Sequence, residues 1–119
     1  MTESLTQAAG LFGLDEKLRG ILRELRERLE VLYGDRLVRT ILFGSQARGD
    51  AQAGSDIDLL VVLRSPLEPS QEITRLGPFL TALSLEHDTL VSGAFVSEER
   101  FQEEQSPFLL NVRREGIAL

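Results

Sequence analysis

Residues 37–63 read LVRTILFGSQARGDAQAGSDIDLLVVL, and the fold turns on how this stretch divides. Leu37–Phe43 is a β-branched and aromatic run of strand length that stops at Gly44-Ser45. Asp56–Leu63 is more strand-like still. Its apolar run before Arg64 predicts a central strand covered on at least part of both faces. Between the two strands lies a polar, glycine-containing connection, with one short helical turn expected through Gln46–Arg48.

Upstream, Leu18, Ile21, Leu22, Leu25, Leu29 and Leu32 recur at helical spacing from Asp15 onward, and Gly34 is a natural stop. Residues 1–13 are small and polar and read as a frayed arm, which leaves 14–119 as a single domain. Downstream, residues 68–86 read as a helix whose apolar stripe is Ile73, Leu76, Leu80 and Leu83, with Gly77-Pro78 expected to kink or divide it. Thr89–Val96 is expected as a third strand. Ser97 is placed to cap a short helix with Glu98 and Glu99 in its first turn, where the helix dipole favours negative charge. Ser106-Pro107 opens a last helix that Gly116 closes. The order α-β-β-α-β-α-α predicts one α/β domain.

The composition narrows the chemistry. With 119 residues, 42% of them hydrophobic and 27% charged, the chain suits one ordinary globular core. Cysteine is absent, and the single histidine, His87, argues against a His-built zinc site, so a metal is expected on oxygen ligands, as suits Mg²⁺ or Mn²⁺. His87 itself reads as a surface or capping residue. A net charge of −6 argues against duplex nucleic acid as the main partner. Arginines do gather between Arg19 and Arg39, but Glu24, Glu27 and Glu30 interleave with them as on a solvated helix face. Neither a signal peptide nor a run of membrane-spanning length is legible, and a cytoplasmic protein is the default expectation.

Two short features carry the functional reading. Asp56 and Asp58 alternate on a strand and so project to one face, roughly 6–7 Å apart at their bases. Two anions so close repel unless a cation lies between them, and paired carboxylates are how phosphoryl-transfer sites hold divalent metal. Read alone, the pair is equally consistent with solvated turn chemistry. Gly44-Ser45 offers close backbone approach and donors for phosphate oxygens, although alone it is also an ordinary strand-ending turn.

Together, a strand ending in Gly-Ser, then Arg48-Gly49, then Ser55-Asp56-Ile57-Asp58 form a pattern of fixed spacing. It resembles the minimal nucleotidyltransferase domains of the DNA polymerase β superfamily, the resemblance running loosely from Leu37 to Val96. The resemblance implies a small mixed β-sheet with helices packed on one face. It implies that Gly44 and Ser45 bind the triphosphate of an NTP such as ATP, that Asp56 and Asp58 ligate Mg²⁺, and that Arg48 and Ser55 give support through phosphate contact or by fixing the loop. For Arg48 a loop salt bridge with Asp50, itself read as a solvated loop acid, is an equal alternative. A third carboxylate on the neighbouring strand is expected of such enzymes. Counting back from Val96-Ser97 puts that position at Ser92, whereas Asp88 shares the parity one strand-repeat earlier and is the candidate in this chain.

Three functions follow from this resemblance. One is transfer of a nucleoside monophosphate to a hydroxyl on a partner protein or small acceptor. The second is a partner-binding antitoxin beside an all-helical HEPN-type protein, with Phe108–Leu119 as a docking run or as core. The third is a nucleotide-binding module without turnover. A homo-oligomer is compatible with each.

Overall fold

The computed structural model describes residues 15–51 and 55–119. The arm expected at residues 1–13 lies outside them.

Helix α1, Glu16–Tyr33, starts where the Asp15 carboxylate accepts the Leu18 amide at 2.8 Å. Leu18, Ile21, Leu22, Leu25 and Leu29 are buried as the spacing requires, whereas Leu32 is only partly covered and Tyr33 takes the buried place in the last turn. Gly34 then leaves helical geometry at φ 51° and leads through a 3₁₀ turn, Gly34–Arg36, into β1, Leu37–Phe43. The short helical turn after it is α2, Ser45–Arg48, and β2 follows at Ile57–Leu63. Next come α3, Pro69–His87, and β3, Val91–Ser97. The chain finishes with α4, Glu98–Glu103, α5, Pro107–Glu115, and β4, Ile117–Ala118. Ser97 and Ser106 cap their helices as expected, accepting the amides of Arg100 and Leu109.

The strands form a mixed four-stranded sheet in the order β3-β2-β1-β4. β2 lies antiparallel to β1 and parallel to β3, and β4 closes the other edge antiparallel to β1. β4 was not legible in the sequence. Two residues have no strand pattern of their own, and Ile117 and Ala118 are extended because they pair with Leu42 and Ile41. Gly116 does end α5, but in extended geometry at φ −71° that passes directly into β4.

Both faces of the sheet are core. Leu42, Ile57, Leu59, Val61 and Leu63 pack under α1 and α3. Ile41, Leu60, Val62 and Val96 pack under Phe101 of α4 and Leu109 and Val112 of α5. The fold class is thus as expected, but the one-sided helical layer is not. Both alternate sets of residues in β2 are apolar, so leaving either face open would expose a row of buried-type side chains to water.

α3 also corrects the sequence reading. It is one unbroken element with Pro78 inside it; Leu76 and Leu83 are buried on either side of the proline and hold the helix to the sheet. Ile73, expected on the apolar stripe, is 56% exposed. The inward place in that first turn belongs to Glu72, which is 2% exposed and accepts the Tyr33 hydroxyl at 2.9 Å and Arg75 at 3.0 Å. Among the described residues, no helix is long and apolar enough to cross a membrane.

Candidate functional site

The rows of side chains across the α4/α5 face lead to the site. Ile41, Leu60 and Ala94 occupy one row, with Leu60 opposite both neighbours. Two residues nearer the start of β2, the equivalent row is Phe43, Asp58 and Ser92. Here the apolar core gives way to a carboxylate at the rim. Asp56 lies just ahead of β2 and is exposed, while Asp58 is half-buried. The Ile57 amide donates to Leu90 carbonyl at 2.9 Å and anchors this lead-in to β3.

Burial, and secondarily the Asp56 charge, push the Asp58 carboxyl above its ordinary value of 3.8. The two acids therefore sense one another, as the alternation predicts. Such a pair is held at a cost that a bound cation would relieve.

Gly44 faces this pair. It has φ 77° and ψ −159°, a conformation for which only glycine is free of Cβ strain. A Cβ there would stand 2.7 Å from Asp58 Oδ2. The glycine is thus required twice, by its dihedrals and by the carboxylate lying on its backbone. α2 follows at once, with Ala47 and Arg48 amides donating to Gly44 carbonyl at 3.1 Å. The Ser45 and Gln46 amides precede that first helical bond and have no partner within the turn. The Gln46 side chain donates to Ser55 carbonyl at 3.1 Å, tying the turn to the chain entering β2. This strap was not anticipated, since nothing in a lone glutamine announces it.

Arg48 takes the salt-bridge alternative: its Nε contacts Asp50 at 3.2 Å, and a second nitrogen lies 3.6 Å from Glu115. Glu115, at the end of α5, is a site neighbour that sequence reasoning missed, because only the β4–β1 pairing brings it beside the turn. Phe108 is another. It packs edge-on against Phe43 at 5.3 Å while remaining 45% exposed, an apolar wall on the face of the carboxylates. The rest of the C-terminal run divides, with Leu109, Val112 and Ile117 in the core and Leu110 43% exposed.

The third carboxylate is where expectation and structure part. Ser92 does sit beside Asp58 across β2–β3. Asp88, however, is not on β3: it caps α3 in left-handed geometry at φ 51° and is exposed. The parity linking it to position 92 presumed extended chain, and the helix running on to His87 removes that premise.

Asp56 and Asp58 are the residues suited to a divalent metal: both are oxygen donors, one just ahead of β2 and one within it, near enough for the Asp56 charge to act on Asp58, which is partly stripped of water. With Gly44, Ser45 and the α2 turn beside them, the arrangement can hold a metal-bound polyphosphate at a sheet rim.

Comparison with known proteins bears on the family and the fold. The family model described as Nucleotidyltransferase domain matches residues 19–112. Two proteins of Methanocaldococcus jannaschii that carry the provisional name protein adenylyltransferase are similar to this chain. One is 35% identical over 60% of this chain and 72% of its own length. The other is 32% identical over 82% of this chain and 93% of its own length. The crystal structure of a provisionally titled nucleotidyltransferase from Sulfolobus solfataricus superposes with a TM-score of 0.62 at 19% identity, covering 86% of this chain and 80% of that one. That likeness is one of fold.

Proposed function

The chain belongs to the nucleotidyltransferase domain family, and from that premise we propose that it moves AMP from Mg·ATP to a hydroxyl on a partner protein. The observation that carries this reading is the Asp58 carboxylate lying against Gly44, with Asp56 beside it and the first turn of α2 next in the chain. The names carried by its relatives support adenylyl transfer to protein over other acceptors.

In this reading Asp56 and Asp58 hold Mg²⁺, which when bound neutralises phosphate charge and orients the α-phosphorus for in-line attack. Gly44 keeps the backbone clear so that a phosphate reaches the α2 amides and the Ser45 hydroxyl. The Gln46–Ser55 bond holds that turn in register with the acids. Arg48 acts through the turn, its charge already shared between Asp50 and Glu115. Phe43 and Phe108 exclude water from one side of the carboxylates. Transfer then depends on placing the acceptor oxygen opposite the pyrophosphate leaving group, since positioning supplies most of the rate in such reactions.

A second reading is favoured by Ser92 standing where a third carboxylate is expected. Without that base, the domain would bind Mg·NTP or mask a helical HEPN-type partner without turnover. One experiment separates the two. The protein and its co-purifying partner are incubated with Mg·ATP and searched by mass spectrometry for added AMP. An adduct lost in Asp56→Asn and in Asp58→Asn supports the enzyme. Partner binding with no adduct, unchanged in both variants, supports the second reading.

A further inference from the structure

Away from the Asp56/Asp58 rim, the last turn of α3 meets the middle of α1. Here Glu24, Glu86 and His87 each offer one ligand atom, and the three atoms lie within 4.8 Å of one another. His87 Nε2 is 3.7 Å from Glu24 Oε1 and 3.9 Å from Glu86 Oε1. Both separations are too long for a hydrogen bond. Nε2 is shut off from solvent and has no hydrogen-bond partner among the described residues. A buried imidazole nitrogen without a partner is an anomaly in a folded protein, and two carboxylates aimed at it make the anomaly specific.

The two His–Glu separations come close to metal geometry. Zn–N and Zn–O bonds of about 2.0–2.2 Å at tetrahedral angles put neighbouring donors roughly 3.3–3.6 Å apart. The observed His–Glu separations exceed this by a few tenths of an ångström, which the two half-exposed glutamates can close by rotation. A nitrogen donor beside two carboxylates favours a borderline transition ion over Mg²⁺ or Ca²⁺, which prefer oxygen alone.

We propose that Glu24, Glu86 and His87 form a second cation site, for a divalent transition ion such as Zn²⁺, that pins the end of α3 to α1. Three protein ligands leave a fourth position open to water. The pinned segment runs through Asp88 into β3, the strand that carries Ser92 beside Asp58.

His87 is the only histidine in the chain, so its imidazole NMR signals are unambiguous in untagged protein. Zn²⁺ is titrated into the full chain at neutral pH, in wild type and in Asp56→Asn/Asp58→Asn, which removes competition from the rim. The site predicts saturable displacement of the His87 signals at one equivalent in both proteins, with Mg²⁺ causing none. Glu24→Gln is expected to weaken zinc binding by about 10-fold or more. In the Asp56→Asn/Asp58→Asn background it should also abolish the rise in melting temperature that zinc gives. Zinc that leaves the His87 signals unmoved, or binds equally well when Glu24→Gln is added to the Asp56→Asn/Asp58→Asn protein, would overturn the proposal and leave His87 as a packing residue of the α1–α3 junction. Binding lost in the Asp56→Asn/Asp58→Asn protein would overturn it too, by placing the ion at the rim.

Discussion

At the residue scale, two positions connect backbone geometry to the chemistry proposed here. Gly44 combines a left-handed φ of 77° with a carboxylate oxygen 2.7 Å from where a Cβ would be. Gly44→Ala is therefore expected to cost about 1–3 kcal/mol of stability from backbone strain. It should also displace Asp58, so that AMP transfer at a temperature where the variant is fully folded falls at least tenfold. A variant that melts normally and transfers normally would contradict the close approach. Asp58 makes a different prediction, for metal-free protein. Its carboxyl is raised by burial and by Asp56, so the folded chain binds that proton more readily than the unfolded chain. The resulting stabilisation is complete below the ordinary value of 3.8 and is lost as pH rises through the elevated folded value. At neutral pH the wild type is therefore penalised, and Asp58→Asn should melt higher. Mg²⁺ should raise the wild-type melting temperature and leave the Asn variant nearly unchanged. Thermal melts with and without the ion decide it.

At the scale of elements, α5 has more roles than its length suggests. It covers the second face of the sheet with Leu109 and Val112, holds Phe108 over Phe43, presents Glu115 to Arg48, and feeds β4. A helix this short depends on its cap, because it is too short to form without help from capping or tertiary packing. The Ser106 hydroxyl accepts the Leu109 amide at 3.3 Å, with Pro107 at the favoured first position. Ser106→Ala should cost about 1 kcal/mol, seen as a melting point lower by roughly 4 °C, while Ser106→Thr, which keeps the hydroxyl that also bonds Glu104, should restore most of it. Equal stability in all three chains would show that packing alone holds α5.

At the scale of the whole molecule, the sheet is a layer between two helical layers rather than a base for one. Leu59 and Leu60 are neighbours in β2, each 1% exposed, and point to opposite faces. Leu59→Ala and Leu60→Ala should each cost about 2–5 kcal/mol, measured by chemical denaturation. A one-sided sheet would make only one of them expensive. This doubling was half-legible: the unbroken apolar run in β2 announces two covered faces, yet the resemblance suggested a single helical layer. Ile73 and Asp88 were misplaced for the same kind of reason. Each follows a local period correctly, but Glu72 takes the inward slot beside Tyr33, and Asp88 caps α3 three residues ahead of the start of β3.

What the sequence determined by itself are the features whose cause is local. The capping serines, the leucine spacing of α1, the β-branched runs of β1 and β2, and Gly-Ser followed by Asp-x-Asp all act within a few residues of themselves. Backbone sterics and side-chain alternation suffice to read them. Only the tertiary structure could place Ser92 beside Asp58, Glu115 beside Arg48, Phe108 over Phe43, and Glu24 beside His87. Those contacts join residues tens of positions apart. They arise from how helices settle on a twisted sheet to cover apolar surface, a packing outcome that no single segment encodes.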